Sequence, residues 1–147
     1  MNQPLDSSTA RVFFALWPTV AESAALAAWQ APLRKLCGGR AMRGELLHAT
    51  LVFIGGIEQA RLEALQLAAQ EVGAESFELR FESARYWGHN HIVYAAPDRA
   101  PQQLMRLVDE LEQRLATHRF KFDRREHKSH VTLLRNARWT DKPLPEM

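Results

Sequence analysis

A chain of 147 residues is long enough for one domain with a real core, or for two very small lobes sharing one, and it excludes two large domains. Hydrophobic residues at 46% and charged ones at 24% are ordinary for a globular protein, and a net charge of +2 excludes a protein that coats nucleic acid along its length, so any attraction for phosphates is local. The one cysteine, Cys37, cannot form an internal disulfide, no apolar run approaches the length of a membrane span, and Met1 to Ala10 lacks the basic-then-apolar order of a signal peptide. These features point to a cytoplasmic protein with no membrane association, a flexible tail over 1–10 and a single domain over 11–147.

Taken in order, Arg11 to Trp17 reads as a short buried strand, with Trp17 as core, and Pro18 stops it. Thr19 and Glu22 have capping-box spacing, and the stripe Leu26, Trp29, Leu33 and Leu36 behind them predicts one helix bent at Pro32. Gly38-Gly39 ends the helix. A loop carrying Arg40 and Arg43 leads into an apolar strand, Leu46 to Ile54, which Gly55-Gly56 closes. Helical periodicity returns at Leu62, Leu65, Ala69 and Val72 and stops at Gly73. Phe77, Leu79 and Phe81 alternate with Glu78, Arg80 and Glu82, the pattern of a strand with one wet face. Gly88 to His91 reads as a hairpin turn and Ile92 to Ala96 as the returning strand. Pro101 opens a helix with its stripe at Leu104, Leu107, Val108, Leu111 and Leu115. A basic segment, Arg119, Lys121, Arg124, Arg125 and Lys128, then precedes a last apolar strand, Ser129 to Leu134.

Two of these strands carry the same motif, His48-Ala49-Thr50-Leu51 and His130-Val131-Thr132-Leu133. Residues two apart on a strand share a face, so each His and Thr form one polar pair. The surroundings repeat too: apolar strand, proline, helix, basic loop, His-x-Thr-Leu strand. That order implies a duplication and two similar lobes, with the two His-Thr strands brought together at a cleft.

Two histidines suit proton transfer at neutral pH, one as base and one as acid, and placed on either side of a phosphorus they suit in-line displacement. Thr50 and Thr132 would bind the non-bridging phosphate oxygens, and Arg135 could stabilise the charge that develops there. Strict alternation puts Arg135 on the face opposite His130 and Thr132, so its participation requires the strand to twist or end. His89 with His91, and His127 with His130, lack the further ligands and surroundings of a metal site and read as surface or strand residues. Arg43, Arg124 and Arg125 are candidates to track RNA phosphates, with a solvated loop face as the plain alternative, and Tyr86 and Trp87 are candidates to stack on a terminal base.

The tandem motifs, together with "RVFFALWP", "LLHATLVFIG" and "HVTLLR", resemble the 2H phosphoesterase superfamily, and within it the bacterial RNA 2′,3′-cyclic phosphodiesterases, also called 2′-5′ RNA ligases. The resemblance runs from about Arg11 to Arg135. It implies an α+β fold, a two-lobed duplicated arrangement with antiparallel sheets around a central cleft and helices outside. It also implies a hydrolase for RNA processing that opens a 2′,3′-cyclic phosphate end to a 2′-phosphate without metal or cofactor, with reversible 2′-5′ joining of tRNA halves as the other activity. By the same resemblance His130 would activate water and His48 would protonate the departing 3′ oxygen, with the reverse assignment as the alternative. Two alternatives keep the fold: a phosphodiesterase for another small cyclic or 2′-5′-linked nucleotide, or a non-catalytic nucleotide-binding or RNA-binding module. The chain departs from the family in two places, with Ser129 where a proline commonly precedes the second motif and with little of the usual strand structure after it. The latter leaves the C-terminal sheet shortened or completed by another chain, and it leaves the oligomeric state open.

Overall fold

A computed structural model describes residues 8–73, 75–140 and 142–145. In chain order its elements are β1 (Thr9–Leu16), α1 (Val20–Ala27), α2 (Gln30–Cys37), β2 (Arg40–Ala41), β3 (Ala49–Glu58), α3 (Leu62–Gln70), β4 (Ser83–Trp87), β5 (Ile92–Ala96), α4 (Gln102–Thr117) and β6 (Val131–Arg135). The chain divides into two compact units: Met1–Ala15, Thr50–Glu78 and Ala100–His127 form one, and Leu16–Ala49, Leu79–Arg99 and Lys128–Met147 form the other. Each unit therefore draws on both sequence repeats.

In the first unit β1 lies beside β3, and α3 packs against α4. The buried residues of α4 are Leu104, Val108, Leu111 and Leu115, a stripe at helical spacing. β1 alternates between exposed and half-buried positions, unlike the fully buried strand its composition suggests.

The second unit holds β2, β6, β5 and β4, paired antiparallel, and the first residue of β3 joins them by pairing with β6. The register aligns Ala84 with Ala95, Ala95 with Val131, and Val131 with Ala49. All four are buried and form one row of the core with Leu33 and Cys37 of α2 and with Leu47, Val93, Leu133, Leu134 and Ala137. Full burial of each leucine or valine side chain contributes on the order of 1.5–3 kcal/mol.

Four local expectations change. The helix after Pro18 is two helices. The capping box forms, with the Glu22 amide donating to Thr19 Oγ1 at 3.1 Å and the Thr19 amide donating to Glu22 Oε1 at 2.8 Å. Pro32, however, has no amide to donate to the Ala28 carbonyl, so the chain breaks at Ala28-Trp29 and restarts with Pro32 in the first turn of α2. β3 does not close at Gly55-Gly56 but runs to Glu58, with Gly55 at φ 91°. The alternating run at Phe77 to Phe81 is not a strand. Its hairpin partner β5 is only five residues long, so the ladder back from the turn reaches Ser83, with one more bond from the Glu82 amide to the Ala96 carbonyl at 3.1 Å. Finally, the Arg40 loop contains a strand, because the end of β6 offers β2 an edge to pair with.

Candidate active site

His48 and His130 are held in the same way. Each stands one residue ahead of a strand. His48 Nδ1 donates to the Leu46 carbonyl at 2.7 Å, and His130 Nδ1 donates to the Lys128 carbonyl at 2.8 Å. A carbonyl only accepts, so Nδ1 carries the hydrogen in both rings.

The sheet register supplies the neighbours. With Ala49 opposite Val131 in an antiparallel pair, the position before β3 falls opposite the next residue of β6, so His48 faces Thr132. Thr132 pairs in turn with Tyr94, and Tyr94 with Arg85. One face of the sheet thus carries the row Arg85, Tyr94, Thr132 and His48, while its opposite face carries the apolar row of the core. Aromatic rings bracket both histidines. Trp17 lies against His48 with centroids 4.8 Å apart and planes tilted by 31°. Trp87 and Tyr94 meet His130 edge-on at 4.7 and 5.7 Å, and stack on each other at 3.9 Å. Burial pushes the Tyr94 phenol up, with the charge and hydrogen bond of Arg85 opposing, so the ring is neutral near pH 7.

Arg135 reaches this face through a β-bulge. β6 pairs Val131 with Ala95 and Thr132 with Tyr94, and then skips to pair Leu134 with Val93. Leu133 is the extra residue, and both Leu133 and Leu134 point into the core at 0% exposure. The added residue reverses the alternation, so Arg135 shares the face of Thr132. The Leu133 carbonyl accepts from the Met42 amide at 2.9 Å and from Gln30 Nε2 at 3.0 Å, and Gln30 Nε2 also reaches the Met42 carbonyl at 2.8 Å. Gln30 is the one buried polar residue among those described, and it holds the bulge.

The other residues singled out from the sequence fall elsewhere. Thr50 begins the first unit's share of β3, and its carbonyl accepts from His127 Nε2 at 3.0 Å. Arg124 and Arg125 belong to that unit as well. Arg124 lies over the Phe122 ring at 4.4 Å, and Arg125 is forked onto Asp123, whose carboxyl it holds below the usual range. Arg43 is exposed and pairs with Glu45 at 3.5 Å. Tyr86 is on the core side, its hydroxyl donating to the Ala137 carbonyl at 3.1 Å and linked to His91 Nδ1. Trp17, expected in the core, is 56% exposed. No sequence motif marks Gln30, which holds the bulge, or Arg40, whose strand pairs with β6. The nearest signal for Arg40 is the Gly38-Gly39 pair before it: a Cβ at Gly39 would come 2.5 Å from the Arg135 carbonyl, so the two backbones are in close approach there.

An antiparallel α+β scaffold with two matched histidines facing hydroxyl and guanidinium groups defines a phosphoesterase of the two-histidine kind. The chain belongs to the LigT-like phosphoesterase family of the 2H superfamily: the family model described as LigT like Phosphoesterase matches residues 16–94, a little over half of the chain. It is 28% identical over 131 residues to the RNA 2′,3′-cyclic phosphodiesterase of Escherichia coli (strain K12), a match covering 89% of this chain and 74% of that protein. The crystal structure of E. coli LigT in apo form superposes with a TM-score of 0.80 at 26% identity, covering 95% of this chain and 78% of the other. LigT complexed with 3′-AMP gives 0.81 at 26% identity, over 94% and 79%. The resemblance read from the motifs and the α+β fold it implied are both upheld.

Proposed function

We propose that this protein hydrolyses 2′,3′-cyclic phosphate ends of RNA to 2′-phosphates. The observation that carries the reading is the matched pair of histidines, each with Nδ1 fixed on a backbone carbonyl. It is supported by the E. coli relative, which is an RNA 2′,3′-cyclic phosphodiesterase. His130 takes a proton from water at Nε2 as the water oxygen bonds to phosphorus. The bond from phosphorus to the 3′ oxygen breaks, and His48 delivers its Nε2 proton to that oxygen. The products are a 2′-phosphate and a 3′-hydroxyl, and solvent exchange returns both imidazoles to their starting states. Thr132, across from His48, donates to the non-bridging oxygens, while Arg135 offsets the charge on the pentacoordinate phosphorus. Trp87 stacks on the terminal base, since its ring borders His130. An RNA substrate and the buried thiol of Cys37 fit a cytoplasmic, reducing location.

The test is hydrolysis of an oligonucleotide ending in a 2′,3′-cyclic phosphate, in EDTA, with 2′- and 3′-phosphate products resolved. Wild type is expected to release the 2′-phosphate, and His48→Ala and His130→Ala each to lose about 10²- to 10⁴-fold in kcat. A folded wild type with no turnover, or 3′-phosphate as the product, would overturn the reading.

A further inference from the structure

Arg40 of β2 is paired directly with Arg135 of β6. Cross-strand partners project on the same face, so the Arg40 side chain stands beside the one that reaches the reacting phosphate. Its neighbour Ala41 pairs with Leu134 and packs on the core, which confirms the face assignment for Arg40. Like charges directly opposite one another destabilise a sheet, and most arginines nearby are compensated: Arg43 by Glu45, Arg85 by Asp98. Arg40 and Arg135 are both exposed, and among the described residues neither guanidinium has an ion-pair or hydrogen-bond partner. Nor can the two strands drift apart. Gly39, at φ 87°, lets β2 approach the Arg135 carbonyl more closely than any side chain allows. The Met42 amide bonds to the Leu133 carbonyl at 2.9 Å, and the Arg138 amide to the Cys37 carbonyl at 2.8 Å. The backbone thus holds two cations side by side, without a partner among the described residues, on the face of β6 that carries Thr132.

We propose that Arg40 and Arg135 form a two-phosphate clamp, in which Arg135 takes the cyclic phosphate and Arg40 takes the next phosphodiester on its 5′ side. This deepens the phosphodiesterase reading and rests on it. The clamp makes the enzyme one for RNA ends and poorly matched to single cyclic nucleotides, because only a substrate with a second phosphate relieves the repulsion of both arginines. A guanidinium suits the role through its fork of donors, which matches two oxygens of one phosphate.

The experiment compares 2′,3′-cyclic AMP with the dinucleotide ApA ending in a 2′,3′-cyclic phosphate, for wild type and Arg40→Gln. Arg40→Gln is expected to raise KM about tenfold for the dinucleotide with kcat unchanged, to leave both constants for cyclic AMP within about twofold, and to reduce the salt slope of dinucleotide binding by about 0.7, as for one lost phosphate contact on a single strand. Arg40→Lys should restore part of the lost affinity. Equal effects on both substrates, or no effect on either, would overturn the clamp. Binding of a fluorescein-labelled ApA 3′-phosphate is measured in parallel. If wild type turns over neither substrate, the phosphodiesterase reading fails, while a binding loss confined to Arg40→Gln still supports the second phosphate contact and unchanged binding refutes it.

Discussion

Arg135 stands on the same face of β6 as Thr132, although three positions separate them and plain alternation would set them on opposite faces. The extra residue at Leu133 brings the guanidinium to the face that carries His48 and Thr132. Arg135→Ala is therefore expected to lower kcat by about 10²-fold, the scale of losing one group aimed at developing charge, with little change in the thermal midpoint. Single-turnover kinetics beside a melting curve check both parts.

The bulge depends on Gln30, which links the Leu133 and Met42 carbonyls from a site 9% exposed. Gln30→Leu leaves those acceptors short of a donor and is expected to destabilise the fold by about 1–3 kcal/mol in urea unfolding. Because Arg135 then loses its fixed position, kcat should fall several-fold even at temperatures where the variant is fully folded. Unchanged kcat in the folded variant would show that the bulge holds its shape without the amide.

Trp17 offers a separate handle on one histidine. Its indole lies 4.8 Å from the His48 ring and restrains it from one side. An aromatic pair contributes about 0.5–1.5 kcal/mol, so Trp17→Ala is expected to lower kcat by roughly 2- to 12-fold, with Trp17→Phe recovering most of it. A rise in KM alone would assign the indole to substrate stacking instead.

Ser129 Oγ is buried with no hydrogen-bond partner among the described residues. Such a hydroxyl bears a desolvation cost that nothing offsets. Ser129→Ala should stabilise the protein by about 1 kcal/mol, read as a higher urea midpoint with an unchanged m-value, and should leave turnover intact.

Burial pushes the Cys37 thiol up. The unfolded chain, with its lower thiol pKa, loses this proton first as pH rises, so the contribution of Cys37 to stability is full below about pH 8.5 and declines as pH climbs towards the folded value. Urea unfolding from pH 7 to 10 should therefore fall less steeply for Cys37→Ala than for wild type. At pH 7 the folded thiol should resist iodoacetamide until denaturant exposes it.

The sequence by itself determined the chemistry. Two His-x-Thr-Leu motifs need no contacts to be recognised, and the capping box at Thr19, the stripe of α4 and the Gly88 to His91 turn are likewise local patterns that the fold reproduces. What the tertiary structure decided is which face each residue occupies and which charges are compensated. Alternation is a rule about an undisturbed strand, and the bulge at Leu133 exists because β5 pairs there out of step and Gln30, 103 residues away in sequence, donates to the displaced carbonyl. β2 forms only because β6 offers it an edge, which is why Arg40 looked like a loop residue. Trp17 has the composition of core, yet Pro18 and the start of α1 turn the chain so that its indole rests on His48 with its outer side in water. Such placements follow from pairings between distant segments, and no window of sequence contains both partners.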